Sequence, residues 1–228
     1  MIAPQIISFD LDDTLWPVAP VIAAAEAALL SWLRTHHPRA AFGLNIVSMR
    51  ELRAAVSERF PDQRHDLSFL RRQALLEQFT AAGYAADNAM PGPVDEAMEV
   101  FHVARNRVEF YSDVRPALQR LRSTYRLFAV SNGNADLHRC GVAELFDGHV
   151  TAAAAGAAKP DPRIFAHLLQ MAGVGPSEVL HIGDDPLADV IGATRAGIRA
   201  VWLNRESRCW PDEFAAPLRT VSTLADII

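Results

Sequence analysis

The segment Ile6–Phe9 is a short apolar run that stops at Asp10-Leu11-Asp12-Asp13-Thr14-Leu15. A run of this length and composition, bounded by polar residues, reads as a buried strand. The next strand pattern comes only after Asp113. In between, Val21–Leu33, Met49–Phe60, Ser68–Ala82 and Val94–Val108 carry apolar residues at helical spacing, and Pro38, Pro61, Pro91 and Pro93 punctuate them. Residues 17 to 110 are therefore expected to form a helical block with its own apolar faces, set between one strand and a later α/β region.

That later region alternates. Helices are expected at Val114–Arg122, Asn134 to about Cys140, Asp161–Ala172 and Pro186–Ala196, and strands at Arg126–Val130, Gly148–Val150, Glu178–Ile182 and Arg199–Leu203. Strands separated by helices pair in parallel through right-handed crossovers. The alanine-rich Ala152–Ala158 run reads as a loop, and Leu218–Ile228 as a final helix or strand. The fold class expected is α/β, a parallel-sheet core with an inserted helical domain.

With 228 residues, half of them hydrophobic, the chain can bury a large core. A net charge of −5 gives no reason to expect nucleic acid or an anionic membrane as partner. Cys140 and Cys209 are too few for a disulfide framework and suit a reducing compartment. The start lacks the pattern of a secretory signal, so a cytoplasmic location is expected. The apolar stretch Val18–Leu33 is short and holds Glu26, which fits a buried or amphipathic helix and not a membrane span. Segment 34–72 holds eight arginines against four acids, a basic patch that could collectively face an anionic substrate. Elsewhere one basic residue stands out, because Lys159 is the only lysine.

In α/β folds, ligands gather beyond the carboxyl ends of the strands. Asp10 falls at such a tip, with Asp12 two residues on, and paired carboxylates can divide nucleophilic and proton-transfer work. A calcium loop is excluded, since the glycine and glutamate it needs are replaced by Leu15 and Val21. The second strand runs into Ser131-Asn132-Gly133-Asn134, a plausible anion cradle with Asn134 as a helix N-cap. Lys159 precedes Pro160-Asp161-Pro162, where Asp161 suits an N-cap and Pro162 the first helical position. The next strand ends in Gly183-Asp184-Asp185-Pro186, followed by Asp189, and Asp185 can cap the helix that Pro186 opens. Asp10, Asp12, Asp184, Asp185 and Asp189 are expected to converge with Lys159. So many carboxylates would repel or hold protons unless a hard divalent cation, best Mg²⁺, joined them.

The four segments Asp10-Leu11-Asp12-Asp13-Thr14, Ser131-Asn132, Lys159-Pro160 and Gly183-Asp184-Asp185 with Asp189 resemble, in order and spacing, the motifs of the haloacid dehalogenase superfamily. The resemblance covers essentially the whole chain. It implies a Rossmann-like parallel-sheet core from residues 1–16 and 111–228, with 17–110 as an inserted helical cap that closes over the site. It implies Asp10 as the nucleophile of Mg²⁺-dependent phosphoryl transfer and Asp12 as general acid and base. Leu11, Thr14, Ser131, Asn132 and Gly133 would bind phosphate, and Lys159 would neutralise Asp10 and the phosphoryl group. Asp10, the Asp12 carbonyl and Asp184 would hold Mg²⁺, with Asp185 and Asp189 orienting the site.

Halide-displacing members of the superfamily do not need an acid at the position of Asp12, and phosphonate-cleaving members use a cap lysine that this chain lacks. A phosphatase acting on a small-molecule phosphate ester is therefore expected, ahead of a dehalogenase. The same motifs look most like bacterial phosphatases of the flavin pathway, acting on flavin mononucleotide or on phosphorylated ribitylaminouracil. Trp16-Pro17 departs from the Tyr-Asp-like pair expected there. Trp16 could stack on a flat substrate ring or serve as a core indole. Two other classes stay open at this point: a phospho-acceptor signalling module, which would be about half this length, and a non-catalytic phosphate-binding protein.

Overall fold

A computed structural model describes residues 3–84 and 91–227. The chain divides into two compact units, Met1–Pro17 with Glu109–Ile228, and Val18–Val108.

The first unit is built on a parallel sheet. Its strands are β1 (Ile6–Phe9), β2 (Arg126–Ser131), β3 (Gly148–Thr151), β4 (Val179–Gly183), β5 (Arg199–Leu203) and β6 (Thr220–Val221), in the order β3-β2-β1-β4-β5-β6. Every pairing is parallel, and β1 lies between β2 and β4, with Phe9 opposite Ala129 and Ile182. Central parallel strands are covered on both faces, which is why Ile6–Phe9 is buried along its whole length. On one side Ile6, Phe128, Val130, Val150, Ile164, Phe165 and Leu168 form a continuous apolar cluster with Trp202.

The second unit is helical: α1 (Val18–His36), α2 (Pro38–Ala41), α3 (Ile46–Arg59), α4 (Leu67–Ala81) and α5 (Pro91–Arg105). Asn45 and Asp66 cap α3 and α4 by accepting from the Ser48 and Phe69 amides. Leu29 and Leu33 of α1 pack with Phe79 of α4 and Val94, Ala97 and Phe101 of α5. α1 is long and apolar enough to cross a membrane. Glu26, on its buried face, is instead paired with Arg50 and Arg53, as suits a core helix.

The expected anionic-substrate face of segment 34–72 is not what its arginines make. Arg50 and Arg53 hold Glu26, Arg59 holds Glu77, Arg64 holds Glu58, and Arg72 holds Asp95. Arg34 donates to the Leu44 carbonyl, while Arg39 and Arg71 lie over the rings of Tyr84 and Phe101. All eight guanidinium groups are engaged within their own unit, because acids and rings on the neighbouring helices lie within reach.

In the first unit the remaining helices are α6 (Val114–Arg122), α7 (Ala152–Ala155), α8 (Pro162–Ala172) and α9 (Gly192–Arg195). Two local expectations are corrected, and two more are borne out in a more specific form. Residues 134–140 form turns and no helix, because Asp136 draws the His138 and Arg139 amides onto its own carboxylate and left-handed Gly141 ends the segment. Asn134 is consequently not an N-cap. The alanine run is α7 and not a loop, capped by Thr151 and ended by left-handed Gly156. The helix expected over Pro186–Ala196 is a π-helical stretch, Pro186–Ile191, running into α9. The tail forms β6 and a 3₁₀ turn at Leu224–Ile227.

Candidate active site

Asp10 follows the last residue of β1, Ser131 ends β2, and Asp184 follows β4. Since β2 and β4 flank β1, the three tips lie side by side along one edge of the sheet. Lys159 reaches the same place from the segment before α8, where Asp161 caps the helix by accepting from the Arg163 amide and Pro162 opens it. Its backbone is clamped by one side chain: the Lys159 amide donates to Asn132 Oδ1 at 2.7 Å, and Asn132 Nδ2 donates to the Lys159 carbonyl at 2.9 Å. Asn132 thus ties the tip of β2 to the lysine.

The Lys159 ammonium donates to Asp10 Oδ1 at 2.5 Å and to Asp189 Oδ1 at 2.6 Å. Asp189 Oδ1 also lies 3.2 Å from His181 Nε2, and His181 Nδ1 lies 2.9 Å from Ser8 Oγ. The other oxygen of Asp189 accepts the Asp185 amide at 3.0 Å. This close approach needs Gly183, where a Cβ would sit 2.2 Å from the Asp189 carboxyl carbon. Asp184 is gripped from the opposite side. Thr14 Oγ1 donates to its Oδ1 at 3.2 Å, Arg208 donates to its Oδ2 at 3.1 Å, and the Trp202 indole donates to its carbonyl at 2.8 Å.

One ammonium faces two buried carboxylates, with a third nearby. Burial pushes the Asp10 carboxyl well up and the charges of Asp189 and Asp184 add to this, against the opposing pull of Lys159. Burial also raises Asp184, to about 6, with Asp189 and Asp13 assisting and Arg208 opposing. Burial works on Asp189 in the same direction, but Lys159 and His181 outweigh it and hold its carboxyl below the usual range. For Lys159 itself, burial favours loss of the proton, and the two carboxylates more than reverse that.

Carboxylate oxygens of Asp10, Asp184 and Asp189 lie within 4.8 Å of one another. An all-oxygen set whose members are short of positive charge fits a hard divalent cation. Asp189 is already engaged by Lys159, His181 and the Asp185 amide, so Asp10 and Asp184 are the donors best placed to hold such an ion.

The five expected carboxylates do not all converge. Asp185 is exposed and caps the Pro186 turn, accepting from Leu187 and Ala188 at 2.8 and 2.7 Å. The Asp12 carboxylate lies outside the three-carboxylate group and accepts from the Trp16 indole at 2.8 Å. Trp16 is fully buried with its ring against Phe110, so it offers no face for stacking a substrate. The Thr14 hydroxyl is turned to Asp184, and the Gly133 amide is turned back onto Ser131 Oγ. Leu11 is fully buried, which leaves only its backbone to meet a ligand. Ser131, also buried, stands at the tip beside Asp10.

Sequence reasoning assigned no role to Ser8, His181, Arg208 or Trp202. Ser8 and His181 are register partners on β1 and β4, each a lone polar residue in an apolar strand, two residues before Asp10 and three before Asp184 respectively. That coincidence was readable. Arg208 and Trp202 belong to β5 and the loop beyond it, and no local pattern ties them to Asp184.

A family model described as "haloacid dehalogenase-like hydrolase" matches residues 4–197. The chain belongs to the haloacid dehalogenase-like hydrolases. Among characterised members of the family, it is 31% identical over 225 residues to the 5-amino-6-(5-phospho-D-ribitylamino)uracil phosphatase YigB of Escherichia coli K12, covering 97% of this chain and 93% of that one. It is 34% identical to the phosphoserine phosphatase of Thermus thermophilus over 65% of this chain and 60% of that one. The crystal structure of a 2-haloacid dehalogenase from Pseudomonas syringae pv. Tomato DC3000 superposes with a TM-score of 0.92 at 37% identity, covering 98% of this chain and 96% of that one. Haloacid dehalogenase-like hydrolases of differing chemistry thus share this parallel core.

Proposed function

We propose that this haloacid dehalogenase-like hydrolase is a Mg²⁺-dependent phosphatase of small-molecule phosphate monoesters that reacts through a phosphorylated Asp10. The observation that carries the reading is Asp10 at the tip of β1, bridged by Lys159 to Asp189 and within 4.8 Å of Asp184. In the first step an oxygen of Asp10 attacks phosphorus, the bond from phosphorus to the ester oxygen breaks, and Asp12 gives its proton to the departing alkoxide. In the second, Asp12 takes a proton from water as the water oxygen attacks phosphorus, and the bond to Asp10 breaks to release inorganic phosphate. Lys159 keeps charge balanced as the phosphoryl group arrives, while Ser131 and the backbone around Leu11, Asn132 and Gly133 orient its oxygens. Asp10, the Asp12 carbonyl and Asp184 would hold Mg²⁺, with Asp189 and the Asp185 amide that it accepts behind them, and the ion when bound supplies the charge neutralisation that lets a carboxylate approach a phosphate.

The name of the YigB relative supports phosphorylated ribitylaminouracil as the substrate, and the motif resemblance to flavin-pathway phosphatases leaves flavin mononucleotide as the alternative. Residues 17–110 take the cap role that the family implies and select the alcohol. Cys140 and Cys209, not joined in a disulfide, are consistent with a cytoplasmic enzyme. A second reading, release of halide from a 2-haloacid, is favoured by the 37% identity to the Pseudomonas syringae structure. Asp12 argues against it, because halide displacement at carbon has no use for this acid. The deciding experiment assays p-nitrophenyl phosphate, a panel of phosphorylated metabolites and 2-chloropropionate, with Mg²⁺ and with EDTA. Phosphate release that needs Mg²⁺ and disappears in Asp10→Asn is expected; chloride release without phosphate release would overturn the reading.

A further inference from the structure

We infer that Trp16 is a positioning residue that aims the Asp12 carboxylate for proton transfer to the leaving group. This inference rests on the phosphatase reading above. The indole Nε1 donates to Asp12 Oδ1 at 2.8 Å across four residues of one loop. The loop is closed on itself: the Asp13 amide donates to the Trp16 carbonyl at 2.7 Å, the Leu15 amide to the Leu11 carbonyl at 2.7 Å, and Asp13 takes a left-handed φ of 59°. The Tyr111 amide, on the returning chain, pins the Leu15 carbonyl at 3.0 Å. Trp16 itself cannot turn, being fully buried with Phe110 packed edge-on at 5.4 Å.

A rigid donor therefore meets a partly exposed carboxylate. An indole N–H donates and cannot accept. The indole thus occupies Oδ1 and fixes the direction in which Oδ2 points. A general acid contributes only when it is held within hydrogen-bond reach of the group it protonates. The residue at which this chain departs from the usual Tyr-Asp-like pair is then part of the proton-transfer apparatus and not a substrate platform.

Proton donation matters for a poor leaving group and hardly at all for a good one, and this separates positioning from structural support. In Trp16→Phe, which removes the N–H and keeps a ring, kcat/KM for glycerol 2-phosphate should fall about tenfold while that for p-nitrophenyl phosphate stays within about twofold. Phe110→Leu, which loosens the same pocket but keeps the indole N–H, should leave the ratio of the two unchanged. Equal losses on both substrates in Trp16→Phe would make Trp16 merely structural and overturn the inference alone. Failure of the wild-type protein to hydrolyse either phosphate would overturn the phosphatase reading, and this inference with it. Should Trp16→Phe not fold, the ¹H–¹⁵N spectrum of Asp12→Ala decides: one indole signal should move from its wild-type position, and four unmoved indole signals would exclude the contact.

Discussion

Lys159 Nζ lies 2.6 Å from Asp189 Oδ1 while donating at 2.5 Å to Asp10, so the chain's only lysine is shared between a strand tip and a helical turn 30 residues downstream of it. Both carboxylates are buried. Lys159→Met should leave them uncompensated and cost about 3–5 kcal/mol of folding stability, besides abolishing phosphate hydrolysis. Urea unfolding at pH 7 measures the first effect, and a loss under about 1 kcal/mol would mean the lysine is not the counter-charge described.

Divalent-cation binding should appear in stability as well as in activity. At about 100 times its Kd, Mg²⁺ should add about 2.7 kcal/mol to the folded state, and Asp184→Asn should remove that gain. Because the Asp184 carboxyl is raised to about 6, protons compete with the ion below that pH. Apparent affinity should then weaken by about tenfold per pH unit below 6. Thermal melts across Mg²⁺ concentration and pH read both effects, and equal Mg²⁺ stabilisation of wild type and variant would contradict the site.

Gly183 tests the packing behind the site. An added methyl would sit 2.2 Å from the Asp189 carboxyl carbon and 2.5 Å from its Cβ, so Asp189 must move off His181 and Lys159. Gly183→Ala should cost about 1–3 kcal/mol and lower turnover further than the stability loss explains. Full activity in this variant would show that Asp189 need not stand where it does.

Asp113 offers a pH-dependent test away from the reaction. Burial raises its carboxyl, but the Leu224 amide, the Thr223 hydroxyl and the paired Arg205 donors outweigh this and hold it below its ordinary value of 3.8. A carboxyl depressed in the folded state contributes stability above its unfolded value, and that contribution fades as pH falls through the lower folded value. Asp113→Asn should therefore cost about 1–2 kcal/mol at pH 7, and the difference from wild type should shrink below pH 4. A pH-independent difference in urea midpoints would rule out the charge as its source.

The linear sequence determined much of this architecture. Apolar periodicity marked out the four long helices of the second unit and strands β1, β2, β4 and β5, because burial selects residues locally and leaves a period in the chain. It also marked Asp10, Lys159, Asp184 and Asp189, since α/β folds bring strand tips to one edge. Tertiary structure alone decided which acids meet. Asp12 and Asp185 stand beside the others in the sequence, yet a Trp16 indole and two helix amides claim them at shorter range. The eight arginines likewise read as one basic patch until acids and rings on neighbouring helices engaged them. Hydrogen bonds and ion pairs act over a few ångströms in space, and the chain order of the partners records none of those distances.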